Sequence, residues 1–325
     1  MRWSTFRTAD GEERVGVWRG EQLVPVPGVS RLLDLLGDDG TRLREAGAAA
    51  LGRAELEGAA ALDPAAVELL APIPDPPSIR DFMAFEEHVV TASVAIGLTV
   101  DPLWYRQPVF YFTNPAATVG PHAEVAIPPG CSAFDYELEV AAVIGREGRD
   151  LTPEQAERHI AGFMLFCDWS ARDLQGAEMK LNLGPAKGKD SANGFGPWLV
   201  TPDELAPRAG GRAYDLTMTA AVNGAGYSRG NLSDLYWSFG EMISYASRGT
   251  RVRPGDVIGS GTVGTGCILE LSRVHGREAY PWLRADDRVR LEVELLGAID
   301  ARIRPGRPLA PLRPAHETAA QEVPQ

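Results

Sequence analysis

The chain has 325 residues, enough to bury one full core with a smaller appendage. Its formal net charge of −12 argues against nucleic-acid binding, and with no run of 18 apolar residues and no basic-then-apolar leader, neither a membrane span nor a secretory signal is expected. Three scattered cysteines, Cys131, Cys167 and Cys267, lack zinc spacing, argue against a disulfide framework and fit a reducing, cytoplasmic compartment. Trp3-Ser4-Thr5-Phe6 and Val15-Gly16-Val17-Trp18 form a hairpin across the Gly11 turn, with Leu23-Val24-Pro25-Val26 as a third strand. Leu32, Leu35, Leu36 and Leu43 have helical spacing, interrupted at Gly37-Asp38-Asp39-Gly40. Pro72 to Pro77 is a stiff connector and marks a boundary.

Beyond it, Asp81 to His88 carries a histidine in a predicted helix. The run Phe134 to Val143 alternates as a strand, so Glu137 and Glu139 share a face with Ala141 and Val143. Two carboxylates on a core-facing row repel each other and lose hydration, and a divalent cation with oxygen ligands is the simplest compensation. The bland alternative is a solvated strand end. Thr152-Pro153-Glu154-Gln155 reads as a helix start with Pro at the first helical position. Ile160 to Phe166 is a buried strand that delivers Asp168 at its end. Arg172 and Gln175, three apart, are neighbours on one helical turn, where Arg could grip a carboxylate bidentately. An Asp N-cap beside a surface Arg is the plainer reading. The loop Asn182 to Asp190 could carry Lys189 toward the carboxylates or simply be a surface turn. From Tyr214 to Leu296, short β-rich runs between Gly turns predict antiparallel structure. There Gly259-Ser260-Gly261-Thr262 would let the backbone approach a ligand, and Glu270 emerges on a following strand. His122, His159, His275 and His316 read as surface residues, and Trp169, Trp198 and Trp237 as core.

Together the Glu137-x-Glu139 pair, the Asp168-Trp169-Ser170-Ala171-Arg172-Asp173-x-Gln175 block and the Ser260-Gly261-Thr262 turn resemble the fumarylacetoacetate hydrolase superfamily, over roughly residues 76–305. The resemblance implies an α+β, predominantly β fold, a mixed β-sandwich roll with a small N-terminal domain: residues 1–72, then a catalytic domain at 73–305 and a Pro-rich tail at 306–325. It implies that Asp81, Glu137, Glu139 and Asp168 match the metal site. Mg²⁺ is the expected ion, with Mn²⁺ or Ca²⁺ as alternatives. His88 matches the catalytic base and Glu270 the glutamate that orients it. Lys189, Arg172, Gln175 and the Gly261-Thr262 backbone match positions around the substrate and the developing oxyanion. A homodimer acting on a small diketo acid is implied, with no nucleic-acid or membrane partner.

Some branches of the superfamily carry the orienting glutamate three residues after the histidine. Here that position is Thr91, so the distal Glu270 makes the chain look like the diketone hydrolases. Asn114 stands where relatives often have lysine, and Met83 and Met179 replace substrate-contacting tyrosines, which leaves the substrate's far end open. The expected reaction is metal-dependent hydrolysis of a C–C bond in a 1,3-diketone acid, with His88 and Glu270 activating water. The alternatives are β-keto acid decarboxylation or isomerisation of a 2-hydroxy-dienoate on the same site, a non-catalytic binding module, and a Glu137/Glu139 acid–base pair of the carbohydrate type.

Overall fold

The computed structural model describes residues 1–56, 61–95 and 99–312. Gly97, the expected exit of the His88 segment, and His316 in the tail lie outside them. Among the described residues the fold is mixed α+β and mainly β. Two sheets face each other, and their shared core explains the sequence pattern. The strand Leu138–Ile144 is buried at all seven positions, as expected for an apolar run within a covered sheet, and Glu139 is its one charged residue. Leu138, Val140, Ala142 and Ile144 pack toward Met218, Ala220, Leu291 and Ile299 of the second sheet. Ala141 and Val143 point the other way, into a cluster with Met164, Phe166, Trp3 and Leu43.

The first sheet has twelve strands. Its main path runs from Gln22–Pro25 through Glu13–Arg19, Arg2–Arg7, Leu199–Val200, Ile160–Asp168, Leu138–Ile144, Val257–Gly259 and Ile79–Phe82 to Phe110–Thr113. The three predicted N-terminal strands are present, and they extend this sheet through the pairs Arg2 with Val200 and Trp3 with Leu199. Residues 1–72 therefore share a sheet and a side-chain cluster with the downstream chain. The interrupted helical pattern resolves into a short 3-10 turn, Leu32–Leu35, and the helix Thr41–Leu56.

The second sheet orders Ala225–Asn231, Thr217–Val222, Arg288–Val293, Gly297–Arg304 and Glu124–Ala126. Arg288–Val293 alternates strictly, with Val289, Leu291 and Val293 inward and Arg288, Arg290 and Glu292 outward. The strand Thr217–Val222 is central in this sheet, between Ala225–Asn231 and Arg288–Val293.

The predicted helix start at Thr152 is a full capping box, closed by Gln155. Ser238 and Glu241 form a second one on the helix Phe239–Ala246. Ser238→Ala should lower stability by about 1 kcal/mol, read from the urea midpoint at unchanged slope.

Two expectations are corrected. Glu270 lies on a helix, Ile268–His275, instead of a strand. Its first amides are held from outside, since Ile268 N–H and Leu269 N–H donate to the Asp135 carboxylate at 2.8 and 3.0 Å. His159 is buried, with Nδ1 2.8 Å from the Gln155 carbonyl oxygen that caps the preceding turn.

Candidate active site

Three strands deliver four carboxylates to one buried place. Glu137 and Glu139 come from the start of the central strand and its approach. Asp168 ends the neighbouring antiparallel strand, and Asp81 lies on Ile79–Phe82, beyond Val257–Gly259. All four carboxylates are nearly or fully buried. Asp81, Glu137 and Asp168 each place an oxygen within 4.8 Å of the others. The side-chain alternation behind the Glu137/Glu139 reading therefore holds, and the solvated strand end does not.

The positive charge in the cluster comes from the two predicted basic residues. Lys189 Nζ lies 2.5 Å from Glu137 Oε2 and 2.7 Å from Asp168 Oδ2. Arg172 Nη1 lies 2.7 Å from Glu137 Oε1, and its Nε donates to Asp135 Oδ2 at 2.8 Å. Arg172 also reaches Gln175 Oε1 at 3.3 Å, as their spacing implies. Arg172 is thus braced by carboxylates on one edge, while its Nη2 is buried without a partner. That nitrogen is the one free to meet a ligand.

The electrostatics follow from burial. Removal from water, with the Asp168 charge next, pushes Asp81 up to about 8. Burial also lifts Asp168 to about 6, with Glu137 adding to it and Lys189 opposing. Glu139 is raised well above the carboxylate range by burial and by Asp81. Burial acts on Glu137 too, but Lys189 and Arg172 outweigh it and hold its carboxyl well below the ordinary value. If all four were ionised, one lysine and one arginine would leave negative charge uncompensated, and the raised Asp81 and Glu139 carboxyls relieve it by holding protons.

A divalent cation fits this place. Asp81 Oδ1, Glu139 Oε1 and Asp168 Oδ1 are buried and have no hydrogen-bond partner. Buried polar atoms are rarely left so, and lone pairs on hard oxygens suit Mg²⁺, Mn²⁺ or Ca²⁺. Glu139 Oε2 is fixed by the Gly261 amide at 2.9 Å. Gly261 has φ +77°, and a Cβ there would stand 2.8 Å from Met83 Cα, so the turn needs glycine both for conformation and for space. Its amide is therefore committed to a carboxylate in this structure. Thr262 beside it is buried.

His88 is buried on the helix Glu86–Ala95, which packs on the Glu270 helix. His88 Nδ1 is 2.9 Å from Glu270 Oε2, although its N–H is not aimed along that line. Glu270 Oε1 accepts from the Thr265 amide at 3.2 Å, and Oε2 from Cys267 Sγ at 3.3 Å.

Sequence reasoning missed three neighbours. Tyr111 Oη donates to Asp168 Oδ2 and lies 3.1 Å from Asp81 Oδ2, tying two candidate ligands together. Asp135 joins Arg172 to the start of the Glu270 helix. Cys267 stands between Glu270 and the Glu137 backbone, with which it forms a β-bridge. Tyr111 in a β-rich run and Asp135 in an apolar one gave weak signals of their own. Both matter through contacts with residues tens to hundreds of positions away.

The profile described as "Fumarylacetoacetate (FAA) hydrolase C-terminal" matches residues 78–304. The chain is 30% identical over 235 residues to oxaloacetate tautomerase FAHD2A, mitochondrial, of Homo sapiens, covering 72% of this chain and 68% of the relative. It is 30% identical over 216 residues to 2,4-didehydro-3-deoxy-L-rhamnonate hydrolase of Sphingomonas sp. (strain SKA58), covering 66% and 68%. The solved structure of a fumarylacetoacetate hydrolase from psychrophilic Exiguobacterium antarcticum superposes with a TM-score of 0.71 at 26% identity, covering 94% of this chain and 99% of that one. Relatives of this kind include hydrolases and tautomerases, and the fold, the profile and the identities agree that this chain belongs to the fumarylacetoacetate hydrolase family.

Proposed function

We propose that the protein is a metal-dependent hydrolase that cleaves a C–C bond in a 1,3-diketo acid of the acylpyruvate or fumarylacetoacetate type. The observation that carries this reading is the pairing of two machines in one site: the carboxylate cluster with three unpartnered buried oxygens, and a buried histidine 2.9 Å from a buried glutamate. Asp81, Glu137, Glu139 and Asp168 would hold the cation, Mg²⁺ by preference, with Mn²⁺ or Ca²⁺ as alternatives. When bound, it supplies Lewis acidity toward the substrate's two oxygens and makes an enolate a tolerable leaving group. Glu270 fixes the His88 tautomer and stabilises its cation. His88 Nε2 takes a proton from water, and the hydroxide oxygen adds to the carbonyl carbon. Lys189 and the free edge of Arg172 face the negative charge that develops, and Gln175 steadies Arg172. The C–C bond then breaks, its electron pair leaves with the enolate fragment, and a proton returns to that fragment. The products are two acids, or an acid and a ketone.

A tautomerase or decarboxylase on the same site is the second reading. It is favoured by the 30% identity to a relative named as an oxaloacetate tautomerase. Acylpyruvates, fumarylacetoacetate-like diketones and oxaloacetate should be incubated with the protein and Mg²⁺ or Mn²⁺, following enol absorbance and identifying products. Two shorter products from a diketone support hydrolysis. An intact carbon skeleton, or loss of CO₂ alone, moves the assignment to the second reading.

We also propose a homodimer. Met179, Leu181 and Leu183 are exposed on one segment beside the Lys189 loop, apolar surface that a second copy would cover. Light scattering at micromolar concentration should return twice the 35.0 kDa chain mass, and a monomer mass would refute the dimer.

A further inference from the structure

The hydrolytic reading leaves Cys267 without a task, yet it sits against the proposed base. A ring nitrogen of His88, Cys267 Sγ and a Glu270 carboxylate oxygen all lie within 4.8 Å of one another, and all three residues are buried. His88 Nδ1 has no satisfied hydrogen bond, although its side chain is only 10% exposed. We propose that His88, Cys267 and Glu270 form a second cation site, selective for Zn²⁺ and similar borderline-soft ions, whose occupation switches the enzyme off.

The chemistry separates this site from its neighbour. The carboxylate cluster offers oxygen alone and suits hard cations. The His88 site offers one nitrogen, one sulfur and one oxygen, a mixture that discriminates against Mg²⁺ and Ca²⁺. Three protein ligands with a fourth position left open is a common zinc arrangement. A tetrahedral ion with Zn–N near 2.0 Å and Zn–S near 2.3 Å keeps its donors roughly 3.3–3.7 Å apart. Here the nitrogen–oxygen and sulfur–oxygen separations are 2.9 and 3.3 Å, so the ion needs only a small parting of His88 from Glu270 and a side-chain adjustment between Glu270 and Cys267, the N-cap of the same helix. Binding requires neutral His88, ionised Glu270 and the Cys267 thiolate. The thiol proton now directed at Glu270 leaves to solvent, and two ligand charges neutralise the ion. His88 Nδ1 and the Glu270 oxygen that orients it would then both be ligands, so the base would no longer be positioned to take a proton from water. That inhibitory consequence rests on the hydrolytic reading, whereas the binding itself does not.

The test holds the protein in saturating Mg²⁺ and titrates Co²⁺ as a spectroscopic probe, then Zn²⁺. The expected result is one Co²⁺ per chain with a thiolate-to-cobalt charge-transfer band. The band should be absent in Cys267→Ser and retained in Glu139→Gln, which disables the hard site without touching the sulfur. With a cleavable substrate, Cys267→Ser should need about 10–100-fold more Zn²⁺, or more still, for half-inhibition of its own activity, because even a supporting contact to a ligand is worth that much in affinity. A wild-type protein with no thiolate band would overturn the site. So would Zn²⁺ sensitivity unchanged in Cys267→Ser, which would mean that the ion acts by displacing Mg²⁺ from the carboxylates. If no substrate is cleaved, the spectra still decide the site, and only the proposed reaction falls.

Discussion

Glu139→Gln should gain no stability from Mg²⁺ or Mn²⁺ and should lose turnover with it, while the wild-type protein melts higher as either ion is added. At 100-fold excess over the dissociation constant, an ion that binds only the folded state stabilises it by about 2.7 kcal/mol. The metal-free proteins should differ in the other direction. Asp81 is pushed up to about 8 and Asp168 to about 6, chiefly by burial. Between the ordinary carboxylate value and those values, the folded state holds protons that the unfolded chain has released. Stability from these groups is therefore complete below about pH 4 and is lost as pH rises through 6 and 8. Glu139 is itself raised well above the carboxylate range by burial, so replacing it removes one group whose proton is given up as pH rises, and metal-free Glu139→Gln should melt at or above wild type at pH 8. Thermal melts with chelator, with Mg²⁺ and with Mn²⁺ at pH 6 and 8 read all of this. A Glu139→Gln protein stabilised by the ions as strongly as wild type would remove Glu139 from the ligand set.

The second large effect concerns the base. His88→Ala and Glu270→Gln should each lower kcat for diketone cleavage by about 10²–10⁴, the usual worth of general base catalysis. The double mutant should be scarcely slower than His88→Ala. Non-additivity is expected because the Glu270 oxygen nearest the ring is 2.9 Å from His88 Nδ1, so Glu270 acts on the water through that ring. Affinity for substrate and for Mg²⁺ should survive in all three, because neither residue belongs to the carboxylate cluster. Additive losses would make Glu270 a structural carboxylate and would favour tautomerisation or decarboxylation, which need no activated water.

How much of this was readable before the fold depends on distance along the chain. The shared face of Glu137 and Glu139 follows from the two-residue repeat of a strand, and the Arg172–Gln175 contact from the turn of a helix. Both are local geometry, and both are present. Lys189 reaches Glu137 and Asp168 because the long loop folds back, which its glycines permitted without dictating. Glu270 was misplaced onto a strand because Cys267 to Leu271 is too short and apolar for its period to separate strand from helix. What decides it is Asp135, over 130 residues earlier, which accepts the first amides of the helix. Arg172 was expected to face substrate, but the same Asp135 and Glu137 engage most of its donors. Tyr111 and Asp135 organise the site through partners that no spacing rule connects.

The edge pairing of Trp3 with Leu199 has a consequence for biosynthesis. A ribosome adding about 5–20 residues per second takes roughly 10–40 s to travel from one partner to the other. Through that interval the Arg2–Trp3 end of the first hairpin presents an unpaired edge, since Glu68–Leu69 covers only Phe6 and Arg7, and Trp3, Val15 and Val17 lack the cover of the finished cluster. Closing so long a loop is also slow, because its entropy must be lost before its contacts form. Substitutions that weaken the first hairpin or Leu199–Val200 should therefore lower the yield of newly made enzyme more than the activity of each molecule that matures.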